Sequence, residues 1–212
     1  MRITTFAVSA VLALSIGICT GQTPEHKKDA PKKARKEKAI RRGTFVFILP
    51  VLDHTGAQKE ESSIRSLYAR AGMLNAFSRR KLEIVPRIIA QGLEDQAQID
   101  VSTTDNWTSE NLDKLAQGAE CQYIAAAELT GLQSSETGSK RDPFSARAAV
   151  DISAWLYDVK NHEFLLQNEK THCVYSARKG DDKLDQKAIN YQAIIDAADR
   201  AFKLAPLKQK KS

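Results

Sequence analysis

The apolar positions of this chain fall into blocks with different periods. Thr44–Val51 (TFVFILPV) is a short run dense in β-branched and aromatic residues, which predicts a strand buried on both faces. Pro50 cannot donate a ladder hydrogen bond and marks the end of that strand or an edge. The loop Asp53-His54-Thr55-Gly56 follows. Ile64, Leu67, Tyr68, Ala71, Leu74 and Phe77 then recur at helical spacing, predicting an amphipathic helix over about 60–79. Leu82–Val85 reads as a second short strand. Pro86 suits the first turn of a helix over 87–95 that buries Ile88, Ile89 and Leu93. A third helix opens at Thr108 or Ser109, with acids in its first turn, and stops at Gly118.

The second half changes rhythm. Gln122–Leu132 is a strand of small and apolar residues, and 133–143 (QSSETGSKRDP) is a polar loop. Val150, Ile152, Ala154 and Leu156 alternate with Asp151, Ser153, Trp155 and Tyr157, the clearest strand signal in the chain. A turn at Lys160-Asn161-His162 leads into Phe164–Tyr175, which makes an antiparallel hairpin. A last amphipathic helix, about 185–204, carries Ile189, Ile194, Ile195, Ala198 and Phe202, with Pro206 past its end. The fold class is therefore α/β (α+β). A mixed sheet of about five strands, with an antiparallel C-terminal hairpin, is covered by about four helices.

The amino terminus does not belong to this pattern. Residues 1–21 hold one early cation, Arg2, and an apolar run from Phe6 to Ile18, with no charge until Glu25. That run is short for a membrane span and suits a signal peptide. Cys19 and Gly21 supply small residues for cleavage before Gln22; Gly17 and Cys19 supply a second register. Cys19 also allows a lipid anchor, although Ile18 stands where a lipobox wants a small residue. An uncleaved anchor is the third reading. Export to the periplasm or medium is expected in each.

Charge sharpens the division. The chain has 32 Lys+Arg against 26 Asp+Glu, a net +6. Residues 22–42 hold nine basic groups and three acids, residues 203–212 hold four lysines and no acid, and Arg2 adds one. Removing these +6, +4 and +1 from the total leaves residues 43–202 at −5. The basicity thus sits in the tails, not on a binding face. Residues 22–42 carry one large aliphatic, Ile40, too little to offset ordering entropy, and read as a disordered basic linker. Residues 43–204 form a single domain and 205–212 a basic tail. The linker could meet anionic lipid or cell-wall polymer; export argues against nucleic acid.

Four motifs, in order, resemble a periplasmic α/β domain. It is shared by the TolB amino-terminal domain, the curli-secretion lipoprotein and the penicillin-binding-protein activators. They are Phe45–Pro50 with Asp53-His54-Thr55-Gly56; Leu82–Arg87 after the long helix; Leu115–Ile124, in which Glu120-Cys121 replaces a single Asp; and Val150–Asn161, with Asn161-His162 in place of a turn glycine. Together they cover most of residues 44–176. The resemblance implies envelope location and protein–protein work rather than catalysis. The polar 133–149 segment is unlike the membrane-spanning hairpins of the curli channel.

Candidate chemistry is sparse. Asp53, His54, Thr55 and Gly56 form the candidate functional loop, because α/β folds place functional groups after strands. A hydrolase centred on Asp53 and His54 is the weakest reading, since no Gly-x-Ser-x-Gly is present. Cys121 and Cys173, both on predicted strands, are either a disulfide or two buried thiols. His172-Cys173, with His162 or Cys121, makes a poor zinc site because neighbours on a strand face opposite ways. Asn106-Trp107-Thr108 fits a glycosylation sequon. Trp155 and Tyr157 either stack a ligand or lie under the last helix, the expected cover. No cofactor or metal is expected. The leading function is a non-enzymatic exported envelope protein, a partner-binding module on a basic tether. The alternative is a small-molecule or cell-wall-polymer binder using the sheet edge or the 133–143 loop.

Overall fold

The computed structural model describes residues 44–137, 144–179, 185–203 and 205–207. The signal segment with Cys19, the linker 22–42 and the end of the basic tail lie outside the described residues. The chain runs β1 (Phe45–Ile48), β2 (Leu52–Asp53), α1 (Lys59–Ser78), β3 (Glu83–Ile84), α2 (Arg87–Ala97), a short 3-10 turn (Thr104–Asn106) and α3 (Ser109–Ala119). Then come β4 (Tyr123–Thr137), β5 (Phe144–Asp158), β6 (Glu163–Lys179) and α4 (Gln186–Lys203).

The strands form one mixed sheet in the order β3-β1-β4-β5-β6, with the two-residue β2 beside β4. That makes six strands among the described residues, one more than the hydrophobic pattern suggested. β1 is parallel to β3 and β4, while β4, β5 and β6 are antiparallel neighbours. Strand alternation divides the core into two layers. Val46 and Ile48 face one side, where α1 and α4 pack with Met73, Phe77, Ile194 and Phe202. Phe47 and Leu49 face the other, where α2 and α3 pack with Ala90, Leu112 and Leu115. β1 is thus buried on both faces, as its unbroken apolar run predicts.

α1 and α4 approach closely at Gly72. A β-carbon there would lie 2.3 Å from the Ile195 carbonyl oxygen and 2.7 Å from the Ala198 β-carbon. This contact rotates the buried stripe of α1 onto Ala69, Gly72, Met73, Ala76 and Phe77. Leu67, expected in the core, is 67% exposed. α2 departs further: it buries Ala90 and Glu94, and Ile88 stands 84% exposed. Its isoleucines were expected inside. Gly118 lies within α3, against Leu93, and the helix ends instead at Glu120, whose φ of 46° is left-handed. The Thr108 hydroxyl caps α3 by accepting from the Asn111 N–H.

β4 and β5 are 15 residues each. At about 3.3 Å per residue they far outreach the helices beneath. Residues 133–137, read as loop from their polarity, continue β4 and pair with 145–149 of β5. His162 takes a left-handed φ of 54° in the β5–β6 turn, the place the resemblance gives to glycine. Among the described residues no helix is long and apolar enough to cross a membrane.

Candidate functional site

β1 and β3 are neighbouring parallel strands whose helices leave to opposite faces of the sheet. α1 follows β1 into one core layer and α2 follows β3 into the other. Such a divergence opens a crevice at the carboxyl ends of the strands, the usual ligand position in open α/β sheets. A cleft of about 580 Å³ lies there, within the range of small-molecule sites. Its floor is the segment Pro50–His54. One wall is α1, through Ser62, Ser66, Leu67 and Arg70; Arg87, the first residue of α2, and Ser102 close the far side.

The expected functional loop therefore borders the cleft, and its residues have separate duties. Asp53 Oδ1 accepts from the Thr55 N–H at 2.8 Å and from the Thr55 hydroxyl at 2.6 Å, an Asx-type turn. Arg65 donates to Thr55 Oγ1 at 2.7 Å and to Glu61 at 3.2 Å, and Glu61 accepts from the Tyr191 hydroxyl of α4. The turn is thus tied to two helices. Gly56 takes a φ of +77°, the left-handed region that glycine occupies without strain. His54 lies on the open side, with Nδ1 3.5 Å from Glu128. Asp53 and His54 turn to different partners and do not form the pair a hydrolase would use. Asp53 Oδ2 is buried and has no hydrogen-bond partner among the described residues.

Two guanidinium groups dominate the electrostatics. Arg70 is half-buried and donates to the Ile48 carbonyl at the end of β1, 3.1 Å away. Desolvation, and then the nearby charge of Arg87, push its pKa down. Arg87 pairs with Glu94 at 3.2 Å. Burial raises the Glu94 carboxyl above the ordinary range, against the pull of Arg87. Glu94 thus answers Arg87 first and Arg70 more weakly.

Comparison with known proteins gives fold neighbours only. The sequence matches no protein-family model and no curated protein. Among solved structures the chain is similar to lipoprotein GNA1162 from Neisseria meningitidis, at 13% identity and a TM-score of 0.43, over 69% of this chain and 90% of that one. It is similar to the hypothetical protein CT253 from Chlamydia trachomatis at 17% identity and TM-score 0.42, over 63% and 73%. The LpoB C-terminal domain from Escherichia coli follows at 14% identity and TM-score 0.38, over 61% and 82%.

The remaining candidate residues separate. Cys121 and Cys173 are both free thiols. Cys121 lies in the core layer under α2 and α3 and Cys173 in the layer under α1 and α4, so the sheet stands between them and the disulfide reading is corrected. Burial pushes the Cys121 thiol up to about 12 and also raises Cys173. His172 is exposed and meets Asp151 at 2.7 Å, facing away from Cys173.

Trp155 and Tyr157 do share a face, but it is the α3 side. Trp107 crosses Trp155 edge-on at a 4.8 Å centroid distance, and the Tyr157 hydroxyl donates to Asp113 of α3 at 2.8 Å. The expected cover by α4 is wrong, because α4 returns to the opposite layer. Burial, first, and the Asp113 hydrogen bond push the Tyr157 phenol up to about 12. Asn106 braces the start of α3, its carbonyl accepting from the Asn111 side chain at 2.9 Å while its own side chain donates to the Asp100 carbonyl at 2.7 Å. The sequence reading missed Arg70, Arg87 and the exposed isoleucines. One signal for the first was present: Ser62, Ser66 and Arg70 repeat every four residues and form a polar stripe on α1.

Proposed function

We propose that this chain is an exported, non-enzymatic cell-envelope protein. Its domain, residues 43–204, docks a protein partner, and the basic stretch 22–42 links it to the point of attachment or release. The observation that carries this reading is exposed aliphatic surface at the cleft and next to it in sequence. Leu67, which lines the cleft, is 67% exposed, and Ile88 and Ile89, which follow the lining residue Arg87 in α2, are 84% and 51% exposed. Large aliphatics left exposed on a folded domain are a common mark of a protein interface where they form a patch. The signal-like amino terminus supports an envelope address, and the linker's excess of lysine supports contact with anionic lipid or wall polymer there.

The test is site-specific photo-crosslinking in intact envelopes, with the probe at Leu67, at Ile88 and, as a control, at exposed Lys203 on α4. The expected result is one adduct common to the first two positions and absent from the third. Adducts of equal yield at all three, or none at the first two, would overturn the reading.

A further inference from the structure

We propose that the crevice between α1 and the start of α2 binds a small oxyanion, one carrying a carboxylate or phosphate-monoester group. This goes beyond partner docking, and depends on Arg70 and Arg87 rather than on the exposed aliphatics. Arg70 carries five N–H donors, and among the described residues it spends a hydrogen bond only on the Ile48 carbonyl. It is half-buried, which makes an unanswered charge costly. Arg87 opens α2 on the opposite wall, and Glu94 compensates one of the two cations. An oxyanion between the walls supplies the missing countercharge and accepts the idle donors in forked geometry.

Asp53 is not free for the ligand: its Oδ1 accepts from Thr55 and its Oδ2 is buried out of reach of the cleft's solvent. Ser66 offers a hydroxyl on the α1 wall, whereas the Ser102 hydroxyl donates to Asp100. The 580 Å³ volume suits a molecule of a few carbon atoms with room for water. The crevice also sits where the helices after β1 and β3 diverge, so its walls are held by both core layers.

The experiment titrates the full-length chain, at constant ionic strength, with glycerol 3-phosphate, with glycerate and with inorganic phosphate. Thermal midpoint and backbone amide shifts are recorded. At least one organic probe should raise the midpoint and move the amides of Ser66, Arg70 and Ser102. The stronger of the two identifies phosphate or carboxylate as the preferred group. Inorganic phosphate, which carries the anionic group without the carbon chain, should move the same three amides. Arg70→Gln should weaken binding at least about tenfold, as expected for a lost charge-assisted hydrogen bond. Since Arg70 also holds the end of β1, Arg87→Gln at the exposed helix start provides a second variant, and the same loss is expected. Both variants keep the basic tails, so anion uptake by those lysines cancels in the comparison. Failure of both organic probes, or unchanged binding in Arg87→Gln, would overturn the proposal. So would amide shifts confined to the tails.

Discussion

Two glycines show how the same residue serves opposite ends. Gly72 sits where α1 meets α4, and a β-carbon there would enter the space of the Ile195 carbonyl and Ala198. Backbone cannot move aside as a flexible side chain can. Gly72→Ala should therefore cost about 1–3 kcal/mol, read as a lower denaturation midpoint at unchanged slope. Gly92 lies inside α2 with nothing within 4 Å of its added β-carbon. There the methyl group meets only solvent, and helix propensity decides. Gly92→Ala should raise stability by about 0.5–1 kcal/mol. Equal effects of the two substitutions in chemical denaturation would refute this account of the α1–α4 contact. Neither role was visible in the sequence, because a glycine's neighbours across a helix pair are set by tertiary docking. The role of Thr108 was visible, because a cap is settled by residues three positions apart.

At the level of elements, sequence periodicity located the helices and strands well and oriented them less well. The alternation from Val150 to Tyr157 did mark a strand of two different faces, but not which helices cover each. Trp155 and Tyr157 went to α3 because α2 and α3 together span the crossover from β3 to β4 on that layer. The polar tail of β4 was missed for a related reason. Its strand state comes from pairing with β5, and backbone hydrogen bonding does not need apolar side chains. α2 gives the most informative discrepancy. A stripe of Ile88, Ile89 and Leu93 looks the same whether it meets the core or another protein, and the structure puts Ile88 and Ile89 outside. A double substitution Ile88→Gln, Ile89→Gln should leave stability within about 0.5 kcal/mol of the parent, since surface changes remove little packing. The same variant should lose the adduct formed from a probe at Leu67. A loss of several kcal/mol in a melt would instead place these side chains in a buried contact.

Across the whole molecule, charge and apolar surface are kept apart. Residues 43–202 carry a net −5, and the +6 stretch 22–42 contains almost nothing that could join a core. Among the described residues, the buried members of the domain's two core layers run from Val46 to Ala205. Its stability should then owe little to the linker, while attraction to anionic surfaces should owe nearly everything to it. Near a negatively charged membrane each Lys or Arg can contribute about 1 kcal/mol, an effect that fades within a Debye length. That length falls from about 10 Å at 0.1 M salt to about 3 Å at 1 M. Deleting residues 22–42 should leave the thermal midpoint nearly unchanged and remove most of the salt-sensitive binding to vesicles containing anionic lipid. The acidic domain should if anything be repelled once the linker is gone. Co-sedimentation across a salt series, with melts of both chains, checks the two halves independently. A midpoint lowered by many degrees would mean that the linker packs on the domain. Vesicle binding that survives both the deletion and 1 M salt would point to an apolar contact, for which the exposed isoleucines beside the cleft would be the first residues to substitute.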